Sequence, residues 1–288
     1  MQHTTFTRRP TLRRPILVAA LEGWNDAGEA ASHALDFLVT ELQAQTIAHI
    51  DAEEFYDFQQ TRPTVRLIGG EHRRIDWPRV EILAAHLPDA DRDLVLLRGH
   101  EPNLRWRTFA GEIMDLSHEL GIELFVTLGA LLADVPHTRP VQVVGSTADS
   151  SLAERLGLSP SRYEGPTGMI GVLGDEAKRA ALPSINIWAA LPHYVQASPN
   201  PRAALALITK LEELLPLTLD TEVLTDASET FDATVAEIVA EDPDLIGYVE
   251  RLEEEADREE NDLAGLPPEQ LVAEVERCLR DQPGGSRS

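Results

Sequence analysis

Reactive side chains are scarce in this sequence. It has one cysteine, Cys278, so no disulfide can form within the chain, and its helical spacing from Leu271, Val275 and Leu279 favours a packed thiol. Only two of the 288 residues are lysine, which leaves few candidates for a Schiff base or a phosphate-binding amine. Walker A, G-x-S-x-G and H-E-x-x-H motifs are absent, no G-x-G-x-x-G follows a strand, and the nine histidines show no zinc-ligand spacing. We therefore predict no catalytic residue, cofactor or metal site, and we favour a protein that is not an enzyme.

Long apolar runs are also missing. A membrane span needs about 20 apolar residues, and the apolar part of a signal peptide needs roughly 7–15. The run at residues 16–21 follows four arginines but stops at Glu22. We expect a soluble, cytoplasmic protein.

Negative charge outweighs positive charge, and it is concentrated near one end. The formal net charge is −24, and residues 217–288 hold 21 acidic and 5 basic residues, a net of −16. Nucleic acids and anionic membranes bind through Lys and Arg, so this surface excludes both as partners. Basic or neutral proteins remain open as partners.

Residues 1–216 show the alternation of an α/β domain. An apolar strand at 16–21 leads into a helix at about 27–43, for which Asp26 and Glu29 resemble a capping box. Short β-like runs follow, with a hairpin through Gly69 and Gly70, which predicts antiparallel or mixed sheet. These runs lie at 47–50, 55–58, 64–68, 73–77, 80–84 and 94–97.

Helices and strands then alternate again. A helix ends at Gly121, strands are predicted at 122–128, 141–144 and 185–191, and further helices lie between and after them. We predict a three-layer α/β/α sandwich with a mixed sheet over residues 1–216. Residues 217–288 are predicted to form an acidic helical extension with three apolar stripes and a disordered end from Gln282. The acidic run 253–260 reads as a solvated helix face or a mobile linker.

Polar residues gather in turns that should meet at one edge of the sheet. These turns are 22–28, 98–103, 128–130 and 163–169, and ligands of open α/β folds bind at such an edge. The candidate pocket or interface residues are Asn25, Asp26, His100, Glu101, Glu164 and Thr167. Glu22 and Asp26 would repel a phosphate. The candidates also have a structural interpretation: Asn25 and Asp26 as turn and N-cap residues, Thr167 as a helix cap, and His100 as a surface or hydrogen-bonded histidine.

Five distinctive segments lie in order within roughly residues 14–216, at 22–28, 97–102, 127–130, 135–140 and 163–171. Together they resemble the proteasome assembly chaperone two family, in its prokaryotic, actinobacterial-like branch. The resemblance implies a three-layer fold like that of nucleoside phosphorylases, self-association as a trimer, and a relation to chaperones that hold proteasome α-subunits.

Two functions therefore compete. The first is a non-enzymatic assembly protein that self-associates and binds another protein. The alternative is a nucleoside-like small-molecule binding protein or enzyme that uses the strand-end turns. In either case the apolar stripes of the extension are expected to pack on the core or on a neighbouring subunit.

Overall fold

The computed structural model describes residues 1–69, 72–87 and 90–263. In this part of the chain the strands are β1 (Thr4–Phe6), β2 (Ile16–Glu22), β3 (Gln45–Ile50), β4 (Thr64–Ile68), β5 (His72–Asp76), β6 (Val80–His86), β7 (Asp93–His100), β8 (Leu124–Ala133), β9 (Val143–Ser146) and β10 (Ser184–Pro192). The helices are α1 (Ala30–Glu41), α2 (Trp106–Leu120), α3 (Ser150–Leu156), α4 (Met169–Arg179), α5 (Pro201–Leu214), α6 (Glu222–Ala240) and α7 (Pro243–Leu263).

One mixed sheet organises the fold. Its strand order is β1-β3-β6-β7-β2-β8-β10-β9, with parallel pairing among β7, β2, β8 and β10 and antiparallel pairing toward both edges. The central strand β2 is buried along all but its last residue, because helices cover both of its faces. The hairpin β4–β5 forms a separate two-stranded sheet.

Two apolar clusters separate the three layers. Even-numbered residues of β2, such as Val18, pack with α1 and α5 on one face of the sheet. Odd-numbered residues, such as Leu17, pack with α2 and α4 on the other face. The predicted three-layer α/β/α arrangement with a mixed sheet is confirmed.

Residues 55–58 form turns, so the strand predicted there is wrong. Phe55 donates its backbone N–H to the Ala52 carbonyl at 3.0 Å. The carboxylates of Asp51 and Asp57 each accept the backbone N–H two residues further on, which is the geometry of an Asx turn. Phe55 and Tyr56 are buried because the turn is packed against the core, and this burial produced the strand-like pattern.

Residues 128–130 do not form a turn, because β8 continues to Ala133. Gly129 lies in the strand opposite Trp188 of β10, and a Cβ at Gly129 would come within 2.8 Å of the indole ring. The glycine therefore makes room for a cross-strand aromatic ring and does not break the strand.

The helices of the extension pack on the core. Leu224 of α6 belongs to the apolar cluster of α1 and α5, and Val235, Val239 and Val249 form a smaller cluster with Tyr194. The break at residues 242–243 separates α6 from α7 as predicted. The division at residue 216 stays a prediction, and the third stripe with Cys278 and the end from Gln282 lie outside the described residues.

Candidate functional site

The carboxyl ends of β2 and β7 meet at one edge of the sheet. Their last residues, Glu22 and His100, are in register, and Glu22 Oε2 lies 2.9 Å from His100 Nδ1. This hydrogen bond raises the pKa of His100 and lowers that of Glu22. Both side chains remain about half exposed, at 45% and 47%, so solvent reaches this ion pair.

Glu101, directly after β7, joins three segments of the chain. Its Oε1 accepts hydrogen bonds from Asn25 Nδ2 at 3.3 Å and from the backbone N–H of Met169, and the backbone of Trp24 donates to the same carboxylate. Met169 is the first residue of α4, where a carboxylate is favoured by the unpaired N–H groups of the helix. Burial nevertheless raises the pKa of Glu101.

Gly168 makes this junction sterically tight. A Cβ at residue 168 would lie 2.0 Å from Asn25 Nδ2 and 2.7 Å from Glu101 Oε1. Asn25 is itself 3% exposed, and its carbonyl accepts the N–H of Ala130 on β8. The turns of β2, β7 and α4 therefore contact one another directly at this point.

Asp26 is a buried structural anchor for α1. Its Oδ1 accepts the backbone N–H of Ala31 at 2.8 Å and of Ser32 at 3.2 Å, and its Oδ2 accepts the Ser32 hydroxyl. The predicted capping box is wrong, because Glu29 stands in the left-handed region at φ 51° and caps nothing with its side chain. Burial raises the pKa of Asp26, and the three hydrogen bonds oppose that rise.

Glu164 and Thr167 lie on the exposed loop that precedes α4. Gly168 is the N-cap of α4, so the Thr167 hydroxyl does not cap the helix as the sequence had suggested. No hydrogen bond or ion pair in the described part of the chain joins these two side chains to Asn25, Asp26, His100 or Glu101. The structure therefore brings together four of the six candidates and leaves two on the surface.

A second site lies where the extension meets the core. A groove of about 490 Å³ runs between residues 135–142, the end of β10 and the helices α5 to α7. Most of its lining is apolar: Val135, Pro136, Pro140, Val141, Leu191, Pro192, Val195 and Phe231. Arg202 also lines the groove, and it donates hydrogen bonds to the carbonyls of His137 and Arg139 and to the carboxylate of Asp232.

Ion pairs close one side of this groove. Arg139 donates to both oxygens of Asp257 on α7, at 2.8 Å each, and lies 3.3 Å from Glu253 one turn earlier. Two acids at i and i+4 share one helix face, and this spacing was the sequence signal for the contact. The acidic run on α7, expected to be a solvated face or a linker, therefore binds the core through these two residues.

Aromatic rings support the same contact. Tyr194 accepts the backbone N–H of His137 at 2.8 Å and packs edge to face against Tyr248 of α7. Tyr248 donates to Asp134 at 3.0 Å, and burial raises its pKa to about 12. Burial lowers the pKa of His137, and the nearby Arg202 adds to this effect. None of these residues was a candidate from the sequence.

Metal and membrane sites are not indicated within the described ranges. They hold no group of three or more His, Cys, Asp or Glu residues placed to bind a metal ion. No helix among them combines the length and apolar character needed to cross a membrane.

The sequence of the chain matches the model of a known protein family. The model of the PAC2 family matches residues 20–239. The chain belongs to the PAC2 family. This confirms the resemblance seen in the sequence, and residues 135–140, one of its segments, are the ones that Arg139 and Arg202 tie to the acidic helices.

Solved PAC2 structures are similar over most of the chain. A PAC2 family protein from Streptomyces avermitilis is 45% identical, with 82% of this chain and 99% of that one covered and a TM-score of 0.77. A proteasome-assembly chaperone homologue from Mycobacterium tuberculosis is 44% identical over 81% and 99% of the two chains, with a TM-score of 0.75. An archaeal proteasome activator from Pyrococcus furiosus shares the fold at 20% identity, with 83% and 99% covered and a TM-score of 0.67. No curated protein matches the chain.

Proposed function

We propose that this PAC2 chain is a non-enzymatic assembly protein that binds proteasome subunits in the cytoplasm and self-associates as a trimer. The observation that carries the proposal is its 44% identity, over 81% of its length, to a proteasome-assembly chaperone homologue. The shared fold alone would not support this proposal, because proteins of one fold have many different functions.

The geometry of the strand-end turns supports a role in binding proteins. The carboxylates of Asp26 and Glu101 are already engaged by groups of the same chain, and Asn25 is buried between them. Those groups stabilise the turns and are not free to hold a substrate. We therefore assign them to shaping the edge.

Surface charge defines the kind of partner. Helix α6 and the described side chains of α7, residues 222–258, carry 13 acidic and 2 basic residues, a net charge of −11. Such a surface favours a partner with a basic face, and binding to it weakens as salt screens the charges.

The test is a pull-down of the tagged chain, expressed at its native level, at low and moderate salt. We expect proteasome α-subunits to be recovered, with less at higher salt. The triple variant D244N/E250Q/E254Q, which neutralises exposed acids of α7, should recover a smaller amount of the α-subunits than the native chain. The matched control E41Q/E53Q/E164Q removes the same charge from exposed positions of residues 1–216 and should recover as much as the native chain. Recovery of no proteasome subunit at low salt would refute the proposal.

The second candidate is small-molecule binding at the strand-end turns. One observation favours it: the Glu22–His100 ion pair lies at the solvent-accessible side of the edge. A nucleoside-like ligand bound there would raise the melting temperature of the native chain but not that of His100→Ala. Purines, nucleosides and carboxylic acids that leave the melting temperature unchanged would exclude this function.

A further inference from the structure

The β4–β5 hairpin stands apart from the core and is exposed along almost its whole length. All five residues of β4 are exposed, and Leu67 is 64% exposed. A two-stranded hairpin without a packing partner is only marginally stable in water. An exposed hairpin with apolar side chains therefore indicates a surface that another molecule covers.

Three exposed apolar side chains of the hairpin, Val65, Leu67 and Ile75, share one face, whereas Ile68 lies on the other. Val65 is opposite Ile75 and Leu67 is opposite Arg73, and alternate residues of a strand point to the same side. Trp77 continues this face at the base, where its ring packs against Phe58 at 4.8 Å between centroids. The base is thus anchored, while the apolar face beyond it is open.

Arginines lie on both faces: Arg73 is beside Leu67 on the first face, and Arg66 and Arg74 lie on the second. Arg66 and Arg74 are cross-strand neighbours, and both bind Asp76, at 2.9 and 2.6 Å. Residues 61–79 hold five arginines and two acids, a net of +3 in a chain of −24. The hairpin is therefore a basic and apolar projection from an acidic protein. The overall charge argues against a nucleic acid as its partner.

A complementary surface exists on the same chain. On α6 and α7, Val223, Ile238 and Ile246 are 78%, 56% and 38% exposed. Exposed acids flank Ile238 on its own helix, at Glu237 and Glu241. These helices combine exposed apolar residues with a net charge of −11, which matches both properties of the hairpin.

The two surfaces lie on opposite halves of the molecule. The hairpin connects β3 and β6, on the side of the sheet that ends in β1. Helix α6 packs on α5, which lies against β10 near the other edge. A hairpin on one copy and helices on the next would therefore form a head-to-tail contact, which closes into a ring when the rotation between copies brings the last copy back to the first.

We propose that the apolar face of the β4–β5 hairpin docks on the α6–α7 surface around Ile238 of a second copy of this chain. This contact, repeated head to tail, closes the trimer. The inference rests on the self-association included in the proposed function, and it supplies the interface for it.

The experiment measures oligomer mass by light scattering after size exclusion and by sedimentation velocity, on full-length chains. The hairpin variant is L67E/R73E and the helix variant is E237R/I238R. The controls are R107E and E41R, which reverse one positive and one negative charge at exposed positions outside both surfaces. Unchanged far-ultraviolet circular dichroism and melting temperature verify that each variant is folded.

We expect the native chain and both controls to form the ring and each variant to be monomeric, with about 100-fold weaker self-association, since each loses two residues from the centre of the contact. Mixing the two variants should give a heterodimer and no larger species, because each retains one intact surface. Raising salt should dissociate the native ring, which tests the charge contribution without any substitution.

Variants that keep the native mass would overturn the docking while leaving self-association intact, and so would a mixture that stays monomeric. A native chain that is monomeric would overturn both the docking of the hairpin and the self-association in the proposed function. Recovery of proteasome subunits by a monomeric variant would show that the assembly role stands independently of the ring.

Discussion

Replacement of Arg139 by alanine should loosen α7 from the core without unfolding the core. Arg139 links residues 135–140 to the acidic helices through Asp257 and Glu253, beside the hydrogen bond that the Thr138 hydroxyl donates to Glu253. The Tyr194 and Tyr248 contacts would remain, so the helices should stay docked most of the time.

The magnitude follows from the exposure of the groups. The side chain of Arg139 is 36% exposed, and those of Glu253 and Asp257 are 28% and 50% exposed, so solvent screens each ion pair. Pairs between exposed groups contribute little, so solvent weakens the Asp257 pair in spite of its bidentate geometry. The half-buried Glu253 pair alone contributes up to about 1 kcal/mol, so loss of the Arg139 contacts should raise the open population of α7 by up to about 5-fold.

Amide hydrogen exchange measures this opening directly. Backbone N–H groups of residues 243–258 should exchange faster in Arg139→Ala, and those of β2 should not change. Arg258→Ala is the matched control, since among the described residues Arg258 pairs with Glu254 at i−4 of the same helix, and both side chains are exposed. Equal exchange in the native chain and Arg139→Ala, or an equal increase in the control, would show that the Arg139 contacts do not hold the helix.

Three further predictions concern the strand-end turns and the opposite end of β7. Gly168→Ala should lower the free energy of unfolding by about 2–3 kcal/mol in urea titrations, because its Cβ displaces the buried Asn25; Gly111→Ala, in open space on α2, should raise it by up to about 1 kcal/mol. Glu22→Gln should lower the pKa of His100 toward the ordinary value in an NMR titration, since the Glu22 hydrogen bond raises it; an unchanged pKa would contradict the ion pair. Burial alone would raise the pKa of Asp93, but hydrogen bonds led by those of Arg13 lower it from 3.8 to about 2. Its folded-state pKa lies below the unfolded one, so its stabilisation is present above about pH 4 and is lost as the pH falls toward 2. Asp93→Asn should therefore lower the free energy of unfolding by about 1–2 kcal/mol at pH 7. Between pH 4 and 2 its stability should decline less steeply than that of the native chain.

The parts of the fold that depend on local periodicity were predictable. The strand at residues 16–21, the helix end at Gly121 with φ 68° and the break before α7 all follow from patterns within a few residues. Residues 128–130 were not predictable in this way, because Gly129 accommodates Trp188 from a distant strand. Local patterns cannot separate a glycine that ends a strand from one that admits a neighbouring ring.

The candidate site was predictable to the extent that strand topology determines it. Asn25, Asp26, His100 and Glu101 come together because β2 and β7 are parallel neighbours that end at one edge. The internal use of their polar groups was not predictable, since it depends on the approach of α4 and on Gly168. Arg139 contacts Glu253 and Asp257, which lie 114 and 118 positions further along the chain. Of these contacts, the sequence shows only the spacing of the two acids.

The position of Arg139 also separates two modes of partner binding. A partner that binds the outer acidic face of α6 and α7 should be indifferent to the Arg139 contacts. A partner that binds residues 135–140 must first displace the helices, so its observed affinity is reduced by the fraction of the chain in which those residues are uncovered. Arg139→Ala should then strengthen binding by up to the same factor of about 5 by which it opens α7. Affinities of α-subunits for the native chain, Arg139→Ala and Arg258→Ala at one salt concentration distinguish the modes, because a gain confined to Arg139→Ala requires the covered segment, and equal affinities require the outer face.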